Sequence, residues 1–156
     1  MHLVVDEVRS AENSRLTAIR LALLMARCME IWSGGKRDAE TVLIIIAVIS
    51  ITSEKFTRTG LDPEHRALDR YLPLEQLQGC NVASIAASTG LNRETTRRRV
   101  DALLRDGSLI RTASGEIALP PERVQDPAAL ELVRKQVDAV TRFANDLLKD
   151  GVLAVA

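Results

Sequence analysis

A mainly α-helical fold carrying one short β-hairpin is predicted for this chain of 156 residues, and three observations predict it. Apolar residues recur at steps of three and four along most of the sequence, the spacing of helices with a covered face. Glycines 34, 90, 107 and 151 follow such stretches, where a left-handed exit ends a helix without steric cost. Only Leu109–Thr112 and Glu116–Leu119 switch to alternation with a period of two.

In chain order, Met1 to Ser10 reads as a short leader, extended at most at Leu3-Val4-Val5. A helix is predicted from Asn13 or Ser14, either able to cap it, to Ser33-Gly34-Gly35. Leu16, Ile19, Leu23 and Ala26 form its main apolar seam, and Leu21, Leu24, Met25, Cys28 and Trp32 widen the arc. So apolar a helix is buried on more than one side, as an ordinary core element or as a dimer interface. The run Val42-Leu43-Ile44-Ile45-Ile46-Ala47-Val48-Ile49 lies in a second predicted helix spanning Arg37 to Arg58, with Asp38 as N-cap. Its uncharged stretch is short of the ~20 residues a membrane span requires, which argues against a transmembrane segment. Apolar on all sides, this helix belongs at the centre of the assembly. After Gly60, a short helix is expected from Pro63 to Tyr71 with Asp62 as cap, then one more turn from Leu74 to Gln78. This short helix would be the first of a three-helix motif. His65 lies on it without any partner spacing that would make it a ligand.

The most informative stretch follows. Asn81 can cap a helix whose inner face is Val82, Ile85, Ala86 and Thr89. Ala86 is small where a second helix must cross closely, Gly90 permits a sharp turn, and Leu91 fills the angle between the helices. Asn92 caps the next helix, with Val100, Leu103 and Gly107 on its buried side. From Arg93 to Arg111 there are six arginines against Glu94, Asp101 and Asp106, a basic patch within a chain of zero net charge. Asn92, Arg93, Glu94, Thr95, Arg97 and Arg98 occupy the first turns of this helix, the part that would enter a DNA major groove. Ser84 on the preceding helix and Arg111 on the hairpin join them as candidate contacts. Arg99 faces sideways, toward backbone phosphate or a neighbouring acid. The competing account is a solvated face with pairs such as Glu94 with Arg98 and Asp101 with Arg105. Two short strands around Ala113-Ser114-Gly115 close the stretch, stopped by Pro120-Pro121.

The segment from Val82 to Val100, followed by Leu103-Leu104-Arg105-Asp106-Gly107-Ser108-Leu109-Ile110, resembles the winged helix-turn-helix of bacterial transcriptional regulators of the MarR, GntR and IclR kinds. Thr96 departs from that pattern, which usually has valine or isoleucine there, so its hydroxyl needs a partner such as a carbonyl one turn back. The resemblance implies a sequence-specific, usually dimeric regulator of double-stranded DNA, often with a small-molecule effector. An effector pocket would draw on the Leu23 and Ile46 region.

The final helix begins at Asp126-Pro127 and closes at Gly151. Leu130, Val133, Val137, Val140, Ala144 and Leu147 form a heptad seam within it, which serves a dimer or an intramolecular bundle equally. The expected organisation is therefore an N-terminal helical frame at 1–60, a winged helix-turn-helix head at 61–122, and a C-terminal dimerisation helix at 123–156. No motif unites a nucleophile, a base and an orienting acid, so an enzyme is not expected. Cys28, Cys80, His2 and His65 share no metal-ligand spacing, and no metal or cofactor is expected. Two distant cysteines without a signal peptide point to the cytoplasm. Four aromatic residues are too few for a single-strand binder, which leaves duplex DNA. The rival reading is a protein-interaction module whose basic helix meets an acidic partner.

Overall fold

The computed structural model describes residues 1–156. Seven helices and four short strands follow in the order β1 (Leu3–Val5), α1 (Glu7–Glu12), α2 (Ser14–Ser33), α3 (Ala39–Thr59), α4 (Val82–Thr89), α5 (Arg93–Arg105), β2 (Ile110–Arg111), β3 (Ile117–Ala118), α6 (Pro121–Val124), α7 (Pro127–Lys149) and β4 (Leu153–Val155). They form two compact units, one of residues 36–130 and one of residues 1–35 with 131–156. No helix is long and apolar enough to cross a membrane.

In the first of these units α3 is the central element. The Asp38 carboxylate accepts the Thr41 amide at 2.9 Å and caps it. Val42, Ile44, Ile45, Ala47, Val48 and Thr52 are buried, a spread of positions around the helix that leaves only a narrow exposed edge. The β-branched run is thus a helix, because its length exceeds any strand and its cover comes from several sides. That cover consists of α4, α5 and β3, with Ile85, Val100, Leu103, Leu109 and Ile117 completing the core. Thr52 carries its hydroxyl into this core without penalty, since it donates to the Val48 carbonyl at 2.7 Å.

Two expectations change here. The helix predicted over Pro63–Tyr71 is only a 3₁₀ turn at Pro63–His65, and Leu74–Gln76 is a second such turn. A nine-residue segment bounded by prolines is too short to stay helical without a packed face. Ala67, Asp69, Arg70 and Tyr71 are all exposed, so no such face exists. The helix that covers α4 and α5 is instead α3, so the expected boundary at residue 60 falls between residues 35 and 36. The lower boundary likewise lies at 130/131 rather than 122/123.

The other unit closes on the two chain ends. β1 and β4 pair antiparallel with Leu3 opposite Val155, Val4 opposite Ala154 and Val5 opposite Leu153. His2 and Ala156 exchange both backbone bonds, at 3.0 and 2.9 Å. The expected leader is therefore a strand followed by α1, capped by Asp6 accepting from the Arg9 amide at 2.9 Å. In α2 the half-buried positions are Thr17, Arg20, Leu24, Cys28 and Ile31. Arg20 reaches Asp146 at 2.8 Å and Asp150 at 2.9 Å, and the Trp32 indole donates to Gln136 at 2.9 Å. In α7 the matching inward row is Leu132, Gln136, Ala139, Phe143 and Leu147.

The seams read from sequence run beside these rows. Leu16, Ile19, Leu23 and Ala26 on α2, and Leu130, Val133, Val137 and Val140 on α7, are all exposed. Only the end of the α7 seam turns inward, with Leu147 buried and Ala144 half-buried. Each long helix thus carries two adjacent apolar rows, one used within the chain and one open. Leu23, expected to help line an effector pocket, is 66 % exposed.

Candidate nucleic-acid interface

Local sequence fixes how α4 and α5 meet. Asn81 and Ser84 form a reciprocal cap: the Asn81 side chain accepts the Ser84 amide at 2.9 Å, and the Ser84 hydroxyl accepts the Asn81 amide at 3.0 Å. Ser84, a candidate contact, is thereby committed to holding the start of α4. At the far end Gly90 is left-handed with φ 72° and donates to the Ala86 carbonyl. Two residues later the Asn92 side chain accepts the Glu94 amide at 2.9 Å and starts α5. The Thr96 hydroxyl is buried and donates to the Asn92 carbonyl at 2.9 Å, the partner that its placement in an apolar row demanded.

After α5, Gly107 and the Asp106 side chain turn the chain, the latter accepting the Ser108 amide at 2.8 Å. That bond, after the Ser108 hydroxyl contact, helps to hold the Asp106 carboxyl below its usual range. β2 and β3 then pair antiparallel, Ile110 with Ala118 and Arg111 with Ile117. The hairpin is shorter than the two four-residue runs in the sequence. Its inner edge is bound elsewhere: the Ile117 amide donates to the Cys80 carbonyl at 2.8 Å and ties the hairpin to the segment leading into α4.

The basic residues separate into tied and free groups. Arg99 donates to both Asp38 oxygens at 3.1 and 2.8 Å, to the Thr41 hydroxyl at 3.2 Å, and pairs with Glu40. It fastens α5 to the start of α3, so the neighbouring-acid alternative holds and it is not a free DNA contact. The Thr41 amide first, and Arg99 second, hold the Asp38 carboxyl below its ordinary value. Arg97 donates to Glu94 at 3.0 and 2.6 Å and to Asp101 at 3.0 Å. The pairs expected from spacing alone, Glu94 with Arg98 and Asp101 with Arg105, are replaced by one arginine held between two acids. The Arg97 bonds hold the Glu94 carboxyl below its usual range.

Arg93 and Arg98 are exposed and pair with no carboxylate. Arg111 donates only to the Gly115 carbonyl, at 3.1 Å. Arg93 and Arg111 line one open groove of about 340 Å³ with Asn81, Val82, Ala83 and Ile117. The structure therefore brings Arg93, Arg111 and the capped start of α4 together, although Asn81 and Arg111 are far apart in sequence. Thr95 is half-buried on the same turn as Arg98. The groove walls at Val82 and Ala83 had no signal in the sequence, because they contribute position and backbone rather than charge. Asp101 as an Arg97 partner was legible in its spacing of four, but that spacing fitted Arg105 equally.

No protein-family model, curated protein or solved structure matches the chain. The functional reading rests on this geometry and on the sequence pattern.

Proposed function

We propose that the chain is a sequence-specific regulator of transcription that binds double-stranded DNA as a homodimer, with α3, α4, α5 and the β2–β3 hairpin acting as a winged helix-turn-helix of the MarR, GntR or IclR kind. The observation that carries the reading is the α4–Gly90–Asn92–α5 turn, which leaves Arg93 and Arg98 unpaired at the exposed start of α5, with Arg111 on the groove beside them. A basic helix start of this sort meets the phosphates and base edges of a major groove.

The second copy is supported by the open apolar rows. α2 has 20 residues and not one is buried. With the open α7 row and the aliphatic ribbon face of Leu3, Val5, Leu153 and Val155, the exposed apolar area is on the order of 1,000 Å², more than a monomer usually shows and close to one partner's share of a stable interface. Helices with two adjacent apolar rows suit a four-helix bundle built from two copies of α2 and α7. Two heads related by a two-fold axis would read a palindromic site with half-sites about 10 base pairs apart or a multiple of that.

Titration of random duplex DNA at two salt concentrations tests the reading. Binding should weaken steeply with salt, and Arg93→Ala and Arg98→Ala should each flatten the slope by about 0.9. Absence of duplex binding at low salt would favour a protein-interaction module instead.

A further inference from the structure

Arg97 stands apart from the other arginines of α5 because two acids grip it from opposite directions. Glu94 lies one turn before it and takes the Nε and Nη2 flank, at 3.0 and 2.6 Å. Asp101 lies one turn after it and takes Nη1 at 3.0 Å. A guanidinium has five N–H groups in a rigid plane, and three are now used. The remaining two, one on Nη1 and one on Nη2, form the fork at its tip. The side chain stays 55 % exposed, so that tip is open to solvent.

The charge of the trio decides what this fork can meet. Two carboxylates around one guanidinium leave a net negative charge, which repels a phosphate and excludes Arg97 as a backbone clamp. A neutral base edge carries no such penalty. Guanine presents two acceptors, N7 and O6, at the spacing of an arginine fork, whereas adenine sets an N6 donor against one of the two N–H groups.

We propose that Glu94 and Asp101 are positioning residues that hold Arg97 as a guanine-reading side chain, while the unpaired Arg93 and Arg98 take phosphate. This rests on the duplex-DNA reading of α5 and adds the base that it selects. The acids restrain the arginine before contact and keep it from non-specific phosphates, so they contribute discrimination rather than affinity.

The test uses full-length protein and a duplex enriched from a random pool, with each guanine replaced in turn by 7-deazaguanine, which lacks the N7 acceptor. One guanine in each half-site should then be found whose replacement weakens binding by about ten- to a hundredfold, the scale of a lost bidentate contact. The Arg97→Ala protein should be insensitive to that replacement. A Glu94→Gln/Asp101→Asn variant keeps the arginine, so it should bind random duplex as tightly as the wild type or tighter. Its preference for the enriched site should drop about tenfold. Circular dichroism and the urea midpoint establish that these surface variants fold. Indifference to 7-deazaguanine at every position, equal sensitivity in Arg97→Ala, or an unchanged preference in the double variant overturns the assignment and leaves the duplex reading standing. A wild-type chain that binds no duplex at low salt removes both.

Discussion

Replacing Gly90 by alanine isolates the turn on which the α4–α5 geometry depends. Gly90 has φ 72° and ψ 5°, a left-handed conformation in which a Cβ crowds the following carbonyl. A Cβ built at this position meets nothing within 4 Å, so the substitution adds no packing clash and the whole cost is backbone strain. That strain is worth about 1–2 kcal/mol for an L-residue. In a chain of this size it should lower the melting temperature by about 2–4 °C for each kcal/mol. Gly34, also left-handed at φ 55° with open space around it, should respond alike. Gly79 provides the contrast, because its φ is not positive and an added Cβ would lie 2.9 Å from the Glu116 carboxylate, which can swing away. Urea unfolding followed by circular dichroism measures all three, with Gly90→Asn as a milder left-handed control. A Gly90→Ala protein as stable as the wild type would refute the left-handed turn, and with it the arrangement of α4 and α5.

Val137→Glu places a charge in the open row of α7, where the side chain is 59 % exposed in the single chain. Sedimentation equilibrium should find a wild-type dimer and a folded monomeric variant, and a wild type monomeric at micromolar concentration would refute the dimer. Asp38→Ala removes both the α3 cap and the Arg99 anchor and should cost about 1 kcal/mol or more in urea, whereas Asp38→Asn keeps the cap and should cost less. Asp38, Glu94, Asp106 and Glu131 all have carboxyl pKa values lowered by their partners in the fold. A lowered folded-state pKa gives stability that is present at neutral pH and lost as pH falls from the ordinary carboxylate range near ~4 through the lowered values. Stability should therefore decline below about pH 4, and less steeply in Asp38→Ala. Burial raises the Cys80 thiol pKa, so a thiol reagent at neutral pH should label the half-buried Cys28 and spare Cys80 until the chain unfolds.

The parts of the fold legible in the sequence are those whose cause is local. Asp38, Asn81, Asn92, Gly34 and Gly90 start or end helices through groups within four residues of themselves, and the structure has those boundaries where the spacing put them. The β1–β4 ribbon was not legible, because three-residue strands at opposite chain ends carry no periodic signal and each exists only through the other. The Pro63–Tyr71 segment misled for the converse reason: its local signals favour a helix, but nothing packs on it. At the candidate site, the sequence marked the arginines without separating them. Arg99 is set aside by Asp38 and Glu40, some sixty residues away, and Arg97 by a choice among equally spaced acids. The α7 seam was visible as a pattern, while its exposure depends on a second row displaced by one residue.

That separation of tied from free arginines sets how a neutral chain can hold DNA. Of the candidate contacts, Arg93, Arg98 and Arg111 remain free of any carboxylate partner. Three neutralised phosphates give a slope of log binding constant against log salt of about −3, too little for tight binding by a single head at physiological salt. Two heads on one duplex give about −5, and affinity then falls roughly a thousandfold between 50 and 200 mM salt. The open rows of α2 and α7 and the few free arginines thus make one requirement, since the first can supply the doubling that the second needs. The salt slope of the Val137→Glu monomer tests this directly. It should be half that of the wild type on the same duplex, and a monomer that keeps the full slope would show that one head carries more phosphate contacts than these three arginines.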